Sequence, residues 1–354
     1  MIALCGRDPG STDGVRDYCH RLGEAFVQSG RNLQILRVPW TQRGWLPALW
    51  WTWRQARSWR GRWVLLQYTA FSWSRSGLPV PVLLIAAAVR SQGARLAVIY
   101  HDPLPHHTLG VVGWLRSRVQ RSVMRGLYHC SEQCVLTVPL EAAAWLPDRQ
   151  KAATIPVGSN VTPFNAKPRV RGPNFSERLV AVFGVTGDGR AAAEVRQIAR
   201  AVDFARRRTP QIKLTFLGCG TAEAEPEIRA QLRGVPTEVL GVIDAPRAKE
   251  ILEKSDALLF VRGPVASGRT TAVAGVTAGT PVIGFEGLTT GPPITEAGVR
   301  LVPEGRVDLL GLALAEVLEH GSLWSQLHER NVDATESHFS WGAIATRLLN
   351  VLGS

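Results

Sequence analysis

Arginines, hydroxyls and glycines gather in one stretch of this 354-residue chain, Ala257 to Gly287, ALLFVRGPVASGRTTAVAGVTAGTPVIGFEG. An apolar run ends in a Gly/Pro/Ser/Gly loop, a helical pattern starts near Arg269, and Gly279-Thr280-Pro281 launches the next run. The pattern predicts Ser267 as the helix cap, followed by Gly268, with Arg269, Thr270 and Thr271 in the first turn. Free backbone N–H groups and the helix dipole make such a terminus a diphosphate site, and an arginine adds bidentate donors. An ordinary capped βαβ connection reads the same way, so both readings stay open at this point.

His101-Asp102 follows an apolar run and precedes Pro103, which predicts both side chains at a strand's carboxyl end, facing a cleft. A buried structural histidine is the alternative. His106 and His107 are adjacent and point apart in most conformations, and His129, Cys130 and Cys134 lack a fourth ligand, so no metal site is read. Trp40 to Trp73 holds eight of the twelve tryptophans and no acid. Within it Trp50, Trp51, Trp53, Arg54, Arg57, Arg60 and neighbours out to Trp63 predict a short helix. Indole favours the headgroup level of a membrane and guanidinium pairs with phosphate there. A core helix with a solvated basic side is the other reading, against which stands the number of tryptophans for one buried face.

The elements that must position these groups alternate between short apolar runs and helical patterns, as βαβ units do. The runs at 2–5, 33–38, 63–68, 95–99 and 134–138 form one series, with a helix expected over 15–28. Those at 179–183, 213–217, 238–240, 257–261 and 281–285 form a second. The segment 155–176 carries four prolines with Gly, Ser and Asn and reads as the connection. The expectation is two Rossmann-like doubly wound α/β domains, 1–160 and 177–337, a linker over 161–176, and a last helix in 338–354.

Charge is unevenly placed. Of the net +12, residues 1–165 carry 19 Lys and Arg against 8 Asp and Glu, while 166–354 are nearly balanced. No acid occurs between Ala25 and His101. The first half is a polycation, suited to lipid headgroups, phosphorylated substrates or nucleic acid. Five scattered cysteines predict free thiols in a reducing compartment. The start, MIALCGRDPG, is too short an apolar stretch for a signal peptide, and no uncharged apolar run reaches spanning length. The expected location is therefore cytoplasmic, peripheral at the inner face of the membrane.

The order of these motifs resembles GT-B glycosyltransferases of family 4. Gly279, Pro281, Val282 and Ile283 occupy the positions of the GxPVI end of that family's AxxxGxPVI segment. Val182–Arg190, VFGVTGDGR, resembles its domain-opening strand and Gly-rich loop, which implies donor phosphate contacts at Gly184 and Arg190. Leu214–Gly220 resembles a strand ending in Gly-x-Gly, 155–160 an interdomain IP-x-G segment, and His338–Leu352 the helix that crosses back. Gly10–Leu22 resembles the first loop and helix, with Gly14 a donor contact, and His101-Asp102 the strand-end pair that touches sugar or acceptor. The family's two signature glutamates are replaced by Ala266 and Ala274. Phosphate anchoring then falls to a Ser-x-Arg-x-Thr pattern, Ser267, Arg269 and Thr270. Glu286 is either the carboxylate for a donor hydroxyl or a solvated loop acid.

The resemblance implies a retaining, metal-independent transferase that uses a nucleoside-diphosphate sugar as donor substrate, needs no cofactor, and acts on a lipid-linked or membrane-proximal glycan. A soluble transferase of small molecules and a non-catalytic scaffold are the rival readings. A nucleic-acid partner is not expected, because no module signature accompanies the Trp/Arg surface.

Overall fold

The computed structural model describes residues 1–7, 14–106, 110–159, 177–187 and 189–353. The loop before Gly14, His107, the expected linker at 161–176 and Asp188 lie outside the described residues. The chain divides into two compact units, Met1–Pro156 with Trp341–Ser354, and Val157–Ser340.

The first unit runs β1 (Ile2–Cys5), α1 (Gly14–Gln28), β2 (Gln34–Arg37), α2 (Trp40–Arg43), α3 (Trp45–Ala56), β3 (Trp63–Tyr68) and α4 (Val82–Ser91). It continues with β4 (Arg95–Tyr100), α5 (Val111–Cys130), β5 (Gln133–Leu136) and β6 (Ala152–Thr154). All its strands are parallel, in the order β2-β1-β3-β4-β5-β6. A parallel sheet is covered on both faces, so alternate residues must all be apolar. Ile2, Leu4, Val64, Leu66, Tyr68, Val98 and Tyr100 face α3, α4 and α5. Ala3, Cys5, Leu65, Ala97 and Ile99 face α1 and the chain's last helix, Trp341–Leu352, whose Ile344, Leu348 and Leu352 are buried there.

The second unit runs β7 (Arg178–Phe183), α6 (Ala191–Arg206), β8 (Ile212–Leu217), α7 (Glu225–Gln231), β9 (Thr237–Val239), α8 (Ala245–Lys254) and β10 (Ala257–Pro264). There follow α9 (Thr270–Thr277), β11 (Val282–Glu286), β12 (Val299–Pro303), α10 (Val307–Glu319) and α11 (Gly321–Ala334), and the chain closes with α12 (Trp341–Leu352). Its strand order, β12-β11-β10-β7-β8-β9, reverses between β10 and β7. That reversal is where doubly wound sheets bind ligands.

Two expectations need correction. The Trp/Arg stretch is not one helix: α3 ends at Ala56, Arg57–Trp59 is a 3-10 turn, and Trp63 opens β3. Trp40, Trp59, Trp63 and Trp73 are buried in the two apolar layers, where they pack among the aliphatic side chains of the sheet faces. Nor does Ser267 cap the helix after β10. Arg269 holds the cap position with extended backbone, and no side chain accepts there. Among the described residues no helix is long and apolar enough to cross a membrane.

The loops after β7 and β8 interlock. Gly184 N donates to Leu217 O (2.7 Å) and Val185 N to Cys219 O (3.0 Å). Gly220 has φ +79°, and a Cβ there would stand 2.1 Å from Val185 O. Both the left-handed backbone and the close approach require glycine. Gly220→Ala is expected to destabilise the chain by about 2–4 kcal/mol, from strain plus forced loop displacement, measured by urea unfolding.

Candidate functional site

In the second unit, polar groups converge at the carboxyl ends of β7 and β10. The pairing of β10 with β11 shifts register between Phe260 and Pro264, leaving Val261, Arg262 and Gly263 in a bulge. Bulges next to sites re-aim side chains. Here the Arg262 guanidinium rests on the Gly184 backbone, so close that a Cβ at 184 would meet Nη1 at 2.7 Å. Gly184 has φ +80°, so glycine serves both the turn and the contact. On the other side of the bulge, Arg269 Nη2 lies 3.7 Å from where a Cβ on Gly263 would stand.

The loop from Val265 to Arg269 is held by backbone bonds. Val265 N donates to Phe285 O (2.8 Å), Arg269 N to Ala266 O (2.9 Å), and Val157 N to Ser267 O (3.0 Å). Thr290 Oγ1 donates to Val265 O (2.7 Å) and accepts from Gly287 N (3.0 Å), tying in the loop after β11. Within this frame Ser267 is fully buried, yet its hydroxyl has no hydrogen-bond partner among the described residues. A buried hydroxyl costs free energy unless it is paired, so such a group points to a ligand. Gly268, Arg269, Thr270 and Thr271 follow directly, with Arg269 and Thr270 exposed at the start of α9.

The remaining predicted residues sit at the same sheet end. Arg190 is exposed and caps α6, and Thr186 N donates to Glu194 Oε2 (2.7 Å) in that helix's first turn. Glu286 is exposed at the end of β11. Ala266 and Ala274 are buried, Ala274 in the layer beneath α9. Arg262 was not singled out from the sequence. Its one legible signal is an arginine inside the apolar run that precedes the glycine loop.

In the first unit the strand-end pair splits between two faces. His101 turns toward α1: its ring meets Tyr18 edge-on, with centroids 4.8 Å apart, and Nε2 stands 2.8 Å from Gln67 Oε1. Gln67 Nε2 donates to Leu65 O (3.1 Å), so the amide oxygen is the acceptor and His101 Nε2 carries the proton. Burial lowers the His101 pKa to about 4, opposed by the Asp102 charge, and the ring is neutral at pH 7 with its lone pair on Nδ1. Asp102 instead faces His106, with Oδ2 3.7 Å from Nε2. Gly14 begins α1 with open space around it. Along the basic stretch, Trp50 is 58% exposed and Arg54, Arg57 and Arg60 are exposed, whereas Trp51 and Trp53 are half-buried. Among the described residues no three His, Cys, Asp or Glu side chains converge as a metal site; His129 and Cys130 end α5 while Cys134 lies in β5.

No family model and no curated sequence matches the chain. Solved structures do match in fold. Anabaena HepE in complex with UDP and glucose superposes with a TM-score of 0.67 at 12% identity, over 99% of this chain and 98% of that one. WaaG, a glycosyltransferase involved in lipopolysaccharide biosynthesis, gives 0.63 at 12% over the whole of both chains. A Listeria monocytogenes protein described as a UDP-N-acetylglucosamine 2-epimerase gives 0.58 at 12% over 100% and 95%. The fold is thus the two-domain α/β arrangement of GT-B glycosyltransferases, one that also serves another nucleotide-sugar reaction.

His101 supplies a pH test. Its folded pKa lies below the unfolded value of about 6.5, so unfolding takes up a proton as pH falls. Its stabilising contribution is complete above pH 6.5 and is lost between there and about pH 4. The thermal midpoint is expected to fall across that window, and His101→Gln to flatten part of the fall.

Proposed function

We propose that this chain is a retaining glycosyltransferase that takes a sugar from a nucleoside-diphosphate donor. The observation that carries this is the buried, unpartnered Ser267 hydroxyl, set just before α9 where the strand order reverses, with Arg269 two residues on and Arg262 at the end of β10 against Gly184. Ser267, the free N–H groups of Thr270 and Thr271, and the two guanidinium groups hold the diphosphate. Arg190 adds a charge from the loop that begins at Gly184, and Gly184 and Gly268 let the backbone approach. Arginines and a helix dipole stabilise the leaving diphosphate without a divalent ion. HepE, the relative of this fold described with UDP and glucose, is consistent with that donor class.

Neutral His101 presents its Nδ1 lone pair to a donor hydroxyl, and Asp102 orients the acceptor. Glu286 stands where a sugar or ribose hydroxyl can be held in place of the missing glutamates. The acceptor is a glycan that is lipid-linked or close to a membrane, a reading supported by the charge of the first unit and by the outer face of α3. There Arg54 lies over the Trp50 ring (5.2 Å) and Arg57 over Trp53 (4.2 Å), pairing indole with guanidinium in the way a headgroup layer favours.

Calorimetric titration with UDP tests the donor site. Charge-assisted bonds to phosphate are worth about 1.5–3 kcal/mol each, so Arg190→Ala, Arg262→Ala and Arg269→Ala should each weaken binding roughly ten- to hundredfold. Turnover should be unchanged by EDTA. Unaltered affinity in all three folded variants would sink the assignment.

Co-sedimentation with phosphatidylglycerol vesicles tests the surface. Binding at low salt, its loss at high salt, and weakening by Trp50→Ala with Arg54→Ala are expected, since each arginine near an anionic leaflet contributes about 1 kcal/mol. Trp51 is left intact because its ring packs on the core.

A further inference from the structure

Four buried polar atoms of the first unit have no hydrogen-bond partner among the described residues, Arg7 Nε, Trp63 Nε1, Tyr68 Oη and His106 Nε2, and the last two share a neighbour in Asp102. Both lie at the carboxyl end of the sheet on the side of α4 and α5. Tyr68 ends β3, and its carbonyl accepts from His101 N (3.0 Å), placing it beside the residue that precedes Asp102. His106 Nε2 is 3.7 Å from Asp102 Oδ2, beyond direct hydrogen bonding. Burial raises the Tyr68 pKa, and the Asp102 charge raises it further, so the phenol stays a donor. A phenol donor and an imidazole nitrogen near one carboxylate complement a group that both accepts and donates, which is what an alcohol does.

These groups border an apolar surface. Gln120 binds its two walls together, accepting from His106 N (2.7 Å) and donating to Gly77 O (2.8 Å). Phe71 meets the His106 ring (centroids 4.9 Å apart) and also packs at Gly77, giving a floor that leads outward. Beyond it lie Leu78 and Val80, then Val111, Val112, Trp114 and Leu115 in the first turns of α5, all 40–81% exposed. Apolar side chains grouped this way at one rim mark a contact surface. Helix α5 carries four arginines and no acid, and Arg118 covers the Trp114 ring (4.8 Å), a charge pattern suited to a leaflet.

We propose that this end of the first unit seats an amphiphilic alcohol of glycolipid type. One hydroxyl lies among Tyr68, Asp102 and His106, and the apolar chain runs over Leu78, Val80 and the start of α5. That this hydroxyl is the acceptor rests on the transferase reading; the binding itself does not. Tyr68 and His106 are then positioning residues for the acceptor oxygen.

The test is titration with decyl glucoside below its micelle concentration, alongside glucose and decyl sulfate. Decyl glucoside should bind at least about tenfold tighter than either, because only it offers both hydroxyls and a chain. Tyr68→Phe should weaken that binding about tenfold while leaving the thermal midpoint equal or higher, since removing an unpaired buried hydroxyl relieves a desolvation cost. Val112→Ser with Trp114→Ser, both at the surface, should weaken it comparably. Tyr68→Phe binding like the wild type, as a pocket that holds water alone would, overturns the proposal, as does decyl sulfate binding equally well. UDP binding in the same preparation separates the two readings: UDP bound without glucoside leaves the transferase and removes this seat, and glucoside bound without UDP does the reverse.

Discussion

A parallel sheet covered on both faces leaves its strands no side on which a polar residue can reach water. Every side chain along Trp63–Tyr68 is buried, and in β4 all but the first are. Chemistry is therefore pushed to the strand ends, where the chain turns and backbone N–H groups come free. The candidate groups in both units obey this rule, Tyr68, His101 and Asp102 in one, Arg262, Ser267 and Glu286 in the other. The apolar layers fix where each strand stops, and that decides which residues meet.

The second unit adds a finer constraint at its sheet reversal. Gly184 and Gly220 let guanidinium and backbone approach where any side chain would intrude, and Gly263 takes a left-handed backbone turn. The result is a concentration of positive groups in a loop whose geometry is set by backbone bonds rather than by the arginines themselves. Removing an arginine there should alter charge while leaving the frame intact.

Much of this was legible in the sequence. The alternation of apolar runs and helical patterns gave the two doubly wound units, because burial on both faces writes a continuous apolar signature. The Gly/Ser/Arg loop before α9 was visible as local chemistry. Arg262 was not, since the bulge that turns it toward Gly184 depends on how β10 pairs with β11. Tyr68 and His106 escaped for a similar reason: their significance is the lack of a partner, which only the packed structure reveals. The tryptophan stretch misled in part, because interior and exterior indoles look alike until strand and helix boundaries are known. Four of those eight rings fill the core, and Trp50 is the most exposed of the others.

The last helix, α12, has a bearing on how the chain comes to fold. It supplies Ile344, Ala345, Leu348 and Leu352 to the layer under β1, β3 and β4, and Trp341 meets Tyr18 of α1 (centroids 5.4 Å apart). During synthesis the strands of the first unit precede the second unit but lack part of one wall until α12 is made. The second unit, continuous from Val157 to Ser340, has all its parts sooner. Domains usually complete in order from the amino terminus; here the second to appear is the first that can close. Until then Ala3, Leu65, Ala97 and Ile99 have only α1 to cover them on one face of the nascent sheet. That incompletely covered apolar face makes the unfinished amino-terminal unit the part of the nascent chain that most needs shielding by a chaperone.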